Sequence, residues 1–520
     1  MSRNVFILFS LILATSVLWA KPRNVLFIAV DDLKPLLGCY GYEQVISPNI
    51  DKLAESGTTF LNAHCQQALC GPSRLSVLTG HFPDSIGIYG MSGDRDRFRL
   101  RYPTMATLPQ HFRNNGFTTI GTGKIFDPRN LDGEWQETQD EASWTAFYGK
   151  NKYNEKVGGP KVSGHYHDPL LMELVGRLMD EGKEKGLSGK PLRLYIRDHG
   201  GGPAVESYDV PDDAYRDGAI ANTGIVELEK LKDTKKPFFL ALGFLKPHLP
   251  FVAPQKYWDL YDREDIIAAA NQAFPEGAPD CALTDYAEGR TYSGIPLKGP
   301  ISLETQRELI HGYMACVSYV DAQIGRVIAK LKEIGLYEET AIVLWGDHGF
   351  HLGDKQIIGK HTTYEEATRS PLIIANAGLK RGLRTNTPAN LVDVYPTLCS
   401  IMGLKLPRKL DGKDLTSVLT GREDKAQEYA ASIYPRNGYW AVAIRTEQYR
   451  YIGWYKGKRS ESGSMRFEKK PEFFELYDYA ADPLESKNLA GDKAYAKIEK
   501  RLAKLNREHV KYTQGRQGKL

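Results

Sequence analysis

Cysteine is scarce in this sequence, with six residues in 520 and no Cys-x-x-Cys pair. The low count argues against a small disulfide-held domain, and the spacing argues against a zinc ribbon. Charge of one sign is also lacking, because 68 basic and 64 acidic residues leave a net charge of +4. This balance gives no electrostatic reason to expect a nucleic-acid partner. The remaining composition, 42% hydrophobic and 25% charged, is that of an ordinary globular protein.

Long apolar runs are absent after the N-terminus. Residues 1–20 combine a basic Arg3, a mostly apolar core and a small Ala20, which predicts a secretory signal peptide. An uncleaved N-terminal anchor is the alternative. No later run approaches the roughly 18 apolar residues of a membrane span, so no stable span is expected once the signal is removed. The mature chain is therefore expected to be exported to a periplasm, the extracellular space or a lumen.

Four short apolar runs each stop at polar residues. They cover residues 24–30, 118–121, 238–244 and 341–345, with helical patterns between them. Unbroken apolar runs are typical of parallel strands buried on both faces, which predicts a doubly wound α/β fold. Ligands bind beyond the carboxyl ends of such strands, so the polar residues there are expected to share one site. These residues are Asp31, Asp32, Thr122-Gly123-Lys124, Lys246-Pro247-His248 and Gly346-Asp347-His348.

The organisation of the chain changes after residue 415. Residues 439–445, 449–454 and 473–479 are aromatic and β-rich, which predicts a small antiparallel sheet, and residues 494–512 predict a charged helix. Residues 148–202 are interpreted as an irregular insertion because they are rich in glycine, lysine and charge. The predicted divisions are the signal peptide at 1–20, a large α/β domain at 21–415 and a small α+β domain at 416–520.

The most specific pattern is Cys70-Gly71-Pro72-Ser73-Arg74. Because proline suits the first turn of a helix, Cys70 is predicted at a helix N-terminus, where the helix dipole favours anions. Arg74 adds a permanently charged fork that suits tetrahedral oxyanions. From these residues alone, Cys70 is either a thiolate nucleophile or a buried structural cysteine.

CGPSR followed by LSVLTG resembles the signature of the type I sulfatases, and the resemblance covers about residues 23–489. RNVLFIAVDDL and WGDHGFHLGDK are similar to the two metal-binding segments of that family. GKIFDP, KPHLPF and GKHTTYEEATRSPLII resemble its lysine and histidine segments, and FFELYDYAADPLESKNLA resembles its closing motif. The KPHLPF and FDP contexts are most similar to the iduronate-2-sulfatase branch. The implied fold is a large alkaline-phosphatase-like domain with a mostly parallel sheet, plus a small C-terminal α+β domain with an antiparallel sheet.

The resemblance implies a sulfuric ester hydrolase. A formylglycine-generating enzyme would oxidise Cys70 to formylglycine, whose hydrate attacks sulfur. One divalent cation, usually calcium in this family, is implied at Asp31, Asp32, Cys70, Asp347 and His348. Three carboxylates suit Ca²⁺ or Mg²⁺, while the nitrogen of His348 leaves manganese or zinc open.

The resemblance also assigns catalytic roles. Arg74, Lys124 and Lys360 would offset the charge of the transferring sulfonate, and His248 would protonate the leaving alkoxide. Asp127 stands where this branch usually carries a histidine that assists collapse of the sulfated intermediate. Either Asp127 takes over that role as a base, or it turns away and another group such as His361 serves. The catalytic set is therefore Cys70, Arg74, Lys124, Asp127, His248 and Lys360.

The expected substrate is a sulfated polysaccharide or oligosaccharide. Residues 94–101 hold four arginines, which either line a mouth for anionic sugars or form a solvated loop with internal Asp–Arg pairs. Two other functions stay open. One is a phosphonate or phosphate monoester hydrolase of the same superfamily, and the other is a catalytically silent carbohydrate-binding relative.

Overall fold

The computed structural model of the chain describes residues 22–131, 139–149, 165–284, 288–376 and 378–520. The predicted signal peptide lies outside these residues. The β-strands are β1 Asn24–Val30, β2 Gly57–Phe60, β3 Ala63–His64, β4 Thr118–Gly123, β5 Ala146–Tyr148, β6 Val205–Tyr208, β7 Phe238–Phe244, β8 Phe251–Pro254, β9 Thr340–Gly346, β10 His351–Leu352, β11 Ile358–Gly359, β12 Leu372–Ala375, β13 Leu383–Thr385, β14 Ala389–Asn390, β15 Ala430–Arg436, β16 Tyr439–Arg445, β17 Tyr449–Arg459, β18 Met465–Phe467 and β19 Phe473–Asp478.

The α-helices lie between these strands and at the C-terminus. They are α1 Pro48–Glu55, α2 Cys70–Thr79, α3 Pro83–Ile86, α4 Phe98–Arg101, α5 Leu108–Asn114, α6 Pro169–Glu184, α7 Gly189–Asp198, α8 Arg216–Lys232, α9 Gln255–Trp258, α10 Leu303–Glu333, α11 Glu365–Thr368, α12 Val394–Met402, α13 Thr416–Leu419 and α14 Ala496–Arg516. Among the helices of the described residues, none is long and apolar enough to cross a membrane.

The main sheet has eight strands in the order β13-β2-β12-β9-β1-β7-β4-β5. The strands β9, β1, β7 and β4 pair in parallel, and β5 is parallel to β4. Within this sheet β12 runs opposite to both of its neighbours. The predicted α/β fold with a mostly parallel sheet is therefore confirmed.

Both faces of the main sheet are buried, which explains the unbroken apolar sequence of β1. Leu26, Ile28 and Val30 pack on the face covered by α8 and α10. The alternate residues, Val25 and Phe27 among them, pack on the face covered by α2, α5 and α12. Because side chains alternate along a strand, a central strand needs apolar residues at every position.

The carboxyl ends of four adjacent strands meet at one edge of this sheet. The register pairs Val30 of β1 with Phe244 of β7 and Gly346 of β9, and it pairs Gly123 of β4 with Gly243 of β7. The loops after these strands therefore begin side by side. This brings together the four polar segments that the sequence placed at strand ends.

The C-terminal strands form a separate antiparallel sheet in the order β15-β16-β17-β18, with β19 paired to β17. The helix α14 packs against β16 and β17. The sequence predicts three strands of this sheet, and β15 and β18 are added by the structure. Pro435 interrupts the strand-like pattern of β15.

The interpretation of residues 148–202 as irregular is wrong for the described part. The helices α6 and α7 occupy most of residues 169–198. Asp168 caps α6 through its side chain, and Pro169 follows at the first helical position, which is a standard helix start. The glycine and lysine content obscured this signal, and residues 150–164 lie outside the described part.

Candidate active site

Asp31 and Asp32 follow β1 and turn into the space beyond the sheet. Asp32 has a left-handed backbone with φ of 59°, a conformation that aspartate tolerates better than most residues. Its N–H donates to Asp347 Oδ1 at 2.9 Å, and its carbonyl accepts from the Tyr313 hydroxyl at 2.8 Å. These bonds fix the turn, so both carboxylates are held in a buried position.

Cys70 is the first residue of α2, at the helix N-terminus that the sequence predicts. Its Sγ lies 3.3 Å from His348 Nε2 and 3.8 Å from Asp32 Oδ1. Burial raises the pKa of the Cys70 thiol well above its ordinary value, although Lys124 and Lys360 act in the opposite direction. In the absence of a bound cation, burial therefore favours the neutral thiol over the thiolate at this position.

Arg74 lies one turn after Cys70 and points beneath the site. Its Nε donates to Asp347 Oδ2 at 2.9 Å, and its Nη2 donates to Asp31 Oδ1 at 3.0 Å. Its Nη1 donates to the Lys124 carbonyl, and the side chain has no exposed surface. The sequence suggested that the Arg74 guanidinium faces an incoming oxyanion. In the structure it binds protein oxygens instead. It orients two carboxylates and acts on the cavity through its charge.

The two lysines of the site each bind one of the paired aspartates. Lys124 Nζ lies 2.7 Å from Asp31 Oδ2, and Lys360 Nζ lies 2.7 Å from Asp32 Oδ2. Burial alone would raise the pKa of each aspartate, but the surrounding cationic groups hold it below its usual value. Both carboxylates are therefore ionised, and both ammonium groups line the cavity above Cys70.

His348 presents one nitrogen to the carboxylates. Its Nδ1–H donates to the Gly349 carbonyl at 2.9 Å, so Nε2 is the nitrogen that faces the carboxylates. Nε2 faces Asp32 Oδ1 at 3.4 Å and Asp347 Oδ2 at 3.7 Å. A lone pair opposite two carboxylate oxygens is repulsive unless a proton or a cation lies between them.

The donor atoms around Cys70 fit one divalent cation. They form two overlapping groups whose members lie within 4.8 Å of one another. Three carboxylates are hard oxygen donors, which favours a hard cation over a soft one. The two groups are Asp31, Asp32, Cys70 and His248, and Asp32, Cys70, Asp347 and His348.

His248 stands at the rim of the site, with a quarter of its side chain exposed. Its Nδ1–H donates to the Leu249 carbonyl at 2.7 Å, so Nε2 is the nitrogen that faces the site. Nε2 lies 3.5 Å from Glu288 Oε1 and 3.9 Å from Asp32 Oδ2. This placement suits proton transfer to a group bound above Cys70.

Glu288 is a member of the site that the sequence patterns do not identify. Its Oε2 lies 2.8 Å from Lys360 Nζ, so it joins Lys360 to His248. Burial would raise the pKa of Glu288, but Lys360 and His248 hold it well below its usual range. Glu288 lies in a short 3-10 turn, away from the strand ends, and no motif marks that turn.

Asp127 is buried and bound to Arg129. Its Oδ1 accepts from Arg129 Nε at 2.8 Å, and its Oδ2 accepts from Nη2 at 2.6 Å. Burial would raise the pKa of Asp127, but Arg129 and Lys124 hold it below its usual value, which makes it a weak base. Arg129 and His361 line the cavity, while Asp127 does not. The geometry favours the alternative in which Asp127 turns away.

A cavity of about 590 Å³ opens above Cys70. The four arginines of residues 94–101 do not line it, and Arg97 pairs with Asp94, which favours the alternative of a loop with internal Asp–Arg pairs. Arg99 instead binds Asp140, with Nε 2.6 Å from Oδ1, and Arg101 donates to the Gly87 carbonyl at 2.5 Å. The cationic side chains that do line the cavity, besides the two lysines already described, are Arg129, Arg193, Arg216 and Lys246.

Comparison with known proteins agrees with this geometry. Residues 23–404 match the sulfatase family model, and residues 346–511 match the model for the C-terminal part of N-sulphoglucosamine sulphohydrolase. A sulfatase of Formosa agariphila is 33% identical over 92% of this chain and 85% of that protein. Human iduronate 2-sulfatase is 29% identical over 90% of this chain and 91% of its own length. The solved structure of a 2-O GAG sulfatase has a TM-score of 0.63 and 21% identity, covering 95% of this chain and 93% of that one. The chain belongs to the sulfatase family and is a hydrolase.

Proposed function

We propose that this sulfatase hydrolyses sulfate esters of a carbohydrate with a formylglycine derived from Cys70 and one calcium ion. The observation that carries the proposal is the position of Cys70. It lies at a helix N-terminus on the wall of the cavity that Lys124 and Lys360 also line, and against the metal-type donors. Formylglycine would supply a hydrated aldehyde whose hydroxyl group is the nucleophile.

Calcium fits the donor set because Asp31, Asp32 and Asp347 offer hard oxygen atoms, with His348 Nε2 completing the set. A bound cation would supply Lewis-acid charge beside residue 70. Arg74 holds two of these carboxylates in place from below. The remaining chemistry comes from side chains that line the cavity.

Four other side chains of the cavity each have a role in the reaction. Lys124 and Lys360 bind the sulfate oxygens and offset the charge of the transferring group. His248 donates the Nε2 proton to the leaving sugar oxygen, which would otherwise depart as an alkoxide. Glu288 keeps the Lys360 ammonium and the His248 ring in their positions.

A carbohydrate substrate is supported by the relatives, which include an iduronate 2-sulfatase and a 2-O GAG sulfatase. The predicted signal peptide at residues 1–20 supports export to a periplasm, the extracellular space or a lumen. A formylglycine-generating enzyme of the host is then a required partner.

Mass spectrometry of the peptide that contains Cys70, from protein made in its native host, tests the proposal. We expect the mass of an aldehyde at this position, and faster turnover of 4-nitrophenyl sulfate than of 4-nitrophenyl phosphate. Cys70→Ala is the matched control, because it keeps the fold but cannot be oxidised, and it is expected to be inactive.

An unmodified thiol in active protein would refute the formylglycine mechanism. Preference for the phosphate ester would support the phosphate or phosphonate hydrolase alternative. A thiol together with no turnover of either ester would point to a carbohydrate-binding relative without catalysis.

A further inference from the structure

Two arginines outside the catalytic set line the cavity. Arg193 lies in α7, and Arg216 is the first residue of α8. Arg197, four residues after Arg193, donates from Nη2 to the Ile295 carbonyl at 2.6 Å. Residues four apart share one face of a helix, so this bond holds the Arg193 face of α7 over the segment that carries the cavity residue Tyr292.

Neither arginine has a hydrogen bond or an ion pair through its side chain with any other described residue. Nearby arginines of α6 and α7 are paired: Arg177 lies 4.0 Å from Glu181, and Arg197 binds Asp198. Arginine is strongly suited to planar, bidentate binding of oxyanions. Two guanidinium groups that have no partner within the described part of the chain, on the wall of one cavity, therefore point to an anion that arrives from solution.

The acidic residue beside Arg216 does not neutralise it. Asp217 accepts from the N–H groups of Leu245 at 2.6 Å and Lys246 at 2.9 Å, so both of its oxygens are bound to the main chain. Burial raises the pKa of Asp217 to about 6, which further limits its negative charge below neutral pH. The Arg216 guanidinium forms no ion pair with it.

His165 also lines the cavity, and its neighbours are positively charged. Loss of hydration and the charges of Lys246, Arg216 and His248 lower its pKa to about 3. The imidazole is therefore neutral at pH 7 and can donate or accept a hydrogen bond without adding charge. Burial is the larger cause of this shift, and the three neighbouring cationic groups add to it.

We infer that Arg193 and Arg216 form a second anion subsite, which binds another negatively charged group of the substrate. The group is a sugar carboxylate or a further sulfate, since both match the arginine fork. A cavity of about 590 Å³ is large enough for a sugar with two such groups. The inference rests on the proposed function, because it takes this cavity to be the sugar sulfate site.

Competition against 4-nitrophenyl sulfate, which carries a single anion, tests the subsite. The competing sugars are glucose 6-sulfate with one anion, glucosamine 2-N,6-O-disulfate with a second sulfate, and glucuronic acid 2-sulfate with a carboxylate. The wild-type enzyme is expected to bind one of the two dianionic sugars about tenfold more tightly than glucose 6-sulfate. Arg193→Ala and Arg216→Ala should each remove most of this preference and leave kcat and KM for 4-nitrophenyl sulfate within about twofold.

Arg177→Ala is the matched control, since Arg177 lies in the same insertion but outside the cavity and should keep the full preference. Loss of preference for the disulfate assigns a sulfate to the subsite, and loss for the glucuronate assigns a carboxylate. Equal binding of all three sugars by the wild type, or unchanged preference in both arginine variants, overturns the subsite. Absence of 4-nitrophenyl sulfate turnover in aldehyde-bearing wild type is a separate result, which refutes the proposed function and the subsite with it.

Discussion

Both side-chain oxygens of Asp127 bind Arg129, and Asp127 does not line the cavity. A general base needs a free lone pair close to the substrate and a pKa near the working pH. Asp127 has a lowered pKa, and both of its oxygens accept from the guanidinium group. Its effect is to hold Arg129, a permanent cation, at the cavity wall.

Asp127→Asn is expected to lower kcat for 4-nitrophenyl sulfate by less than about tenfold, because asparagine can still accept a hydrogen bond from Arg129. Loss of a general base would instead lower the rate by a factor of about 10²–10⁴. Arg129→Ala is expected to raise KM more than it lowers kcat, since it removes a cation from the cavity wall. Steady-state kinetics with unfolding midpoints as a check on folding measure both effects. A loss of kcat above about 100-fold in well-folded Asp127→Asn would assign Asp127 as the base.

Among the structural elements, β1 and β7 could be predicted from the sequence because a strand buried on both faces has an unbroken apolar run. The polar residues that follow these strands predicted most of the site, because the carboxyl ends of parallel strands meet at one edge of the sheet. Glu288, Arg193 and Arg216 could not be predicted, because they reach the cavity from a 3-10 turn and two helices outside the strand ends. Their positions depend on tertiary packing, which leaves no local pattern.

The short helix α3 places Asp84 against α14. Asp84 Oδ2 lies 3.4 Å from Thr513 Oγ1, and Oδ1 has no hydrogen-bond partner among the described residues. Burial raises the pKa of Asp84 from 3.8 to about 7. The folded state then binds a proton more tightly than the unfolded chain does. The free energy of unfolding therefore falls as the pH rises from about 4 to about 7. Above that range the whole of this loss of stability remains.

Asp84→Asn removes this ionisation and is expected to raise the free energy of unfolding at pH 8 by on the order of 2 kcal/mol. At pH 4 the variant and the wild type should be nearly equal, because Asp84 is protonated in the folded state and partly so in the unfolded chain. Urea unfolding at the two pH values measures the difference. Asp94→Asn, at an exposed side chain, is the control and should change little at either pH. An equal gain for Asp84→Asn at both pH values would contradict this account.

For the whole molecule, the near-neutral net charge of +4 conceals a strongly cationic cavity. Six lysines and arginines line it, against three acidic residues. Two of those acids, Asp31 and Glu288, are bound to lysines, and Asp217 is bound to the main chain. The positive field is thus concentrated where an anionic substrate enters, and the rest of the surface stays balanced.

Removal of divalent cations with EDTA is expected to abolish turnover and to lower the melting temperature by several degrees, because Asp31, Asp32 and Asp347 would then face one another without a shared cation. Added Ca²⁺ should restore both. Differential scanning fluorimetry and turnover of 4-nitrophenyl sulfate measure the two effects. Asp347→Asn should show a smaller thermal response to EDTA. Full activity and an unchanged melting temperature after chelation would contradict a bound cation.

The position of β1 at the centre of the main sheet also affects how the chain folds during synthesis. Its two partners, β7 and β9, follow it by more than 200 residues, so this early strand is synthesised long before its neighbours. Contacts between such distant segments give a high contact order and slow folding. Until β9 has been synthesised, the apolar surface of β1 lacks a native partner on that side, and aggregation is the main hazard of that interval. Because the active site is assembled from the ends of these same strands, no fragment that stops before β9 can be active.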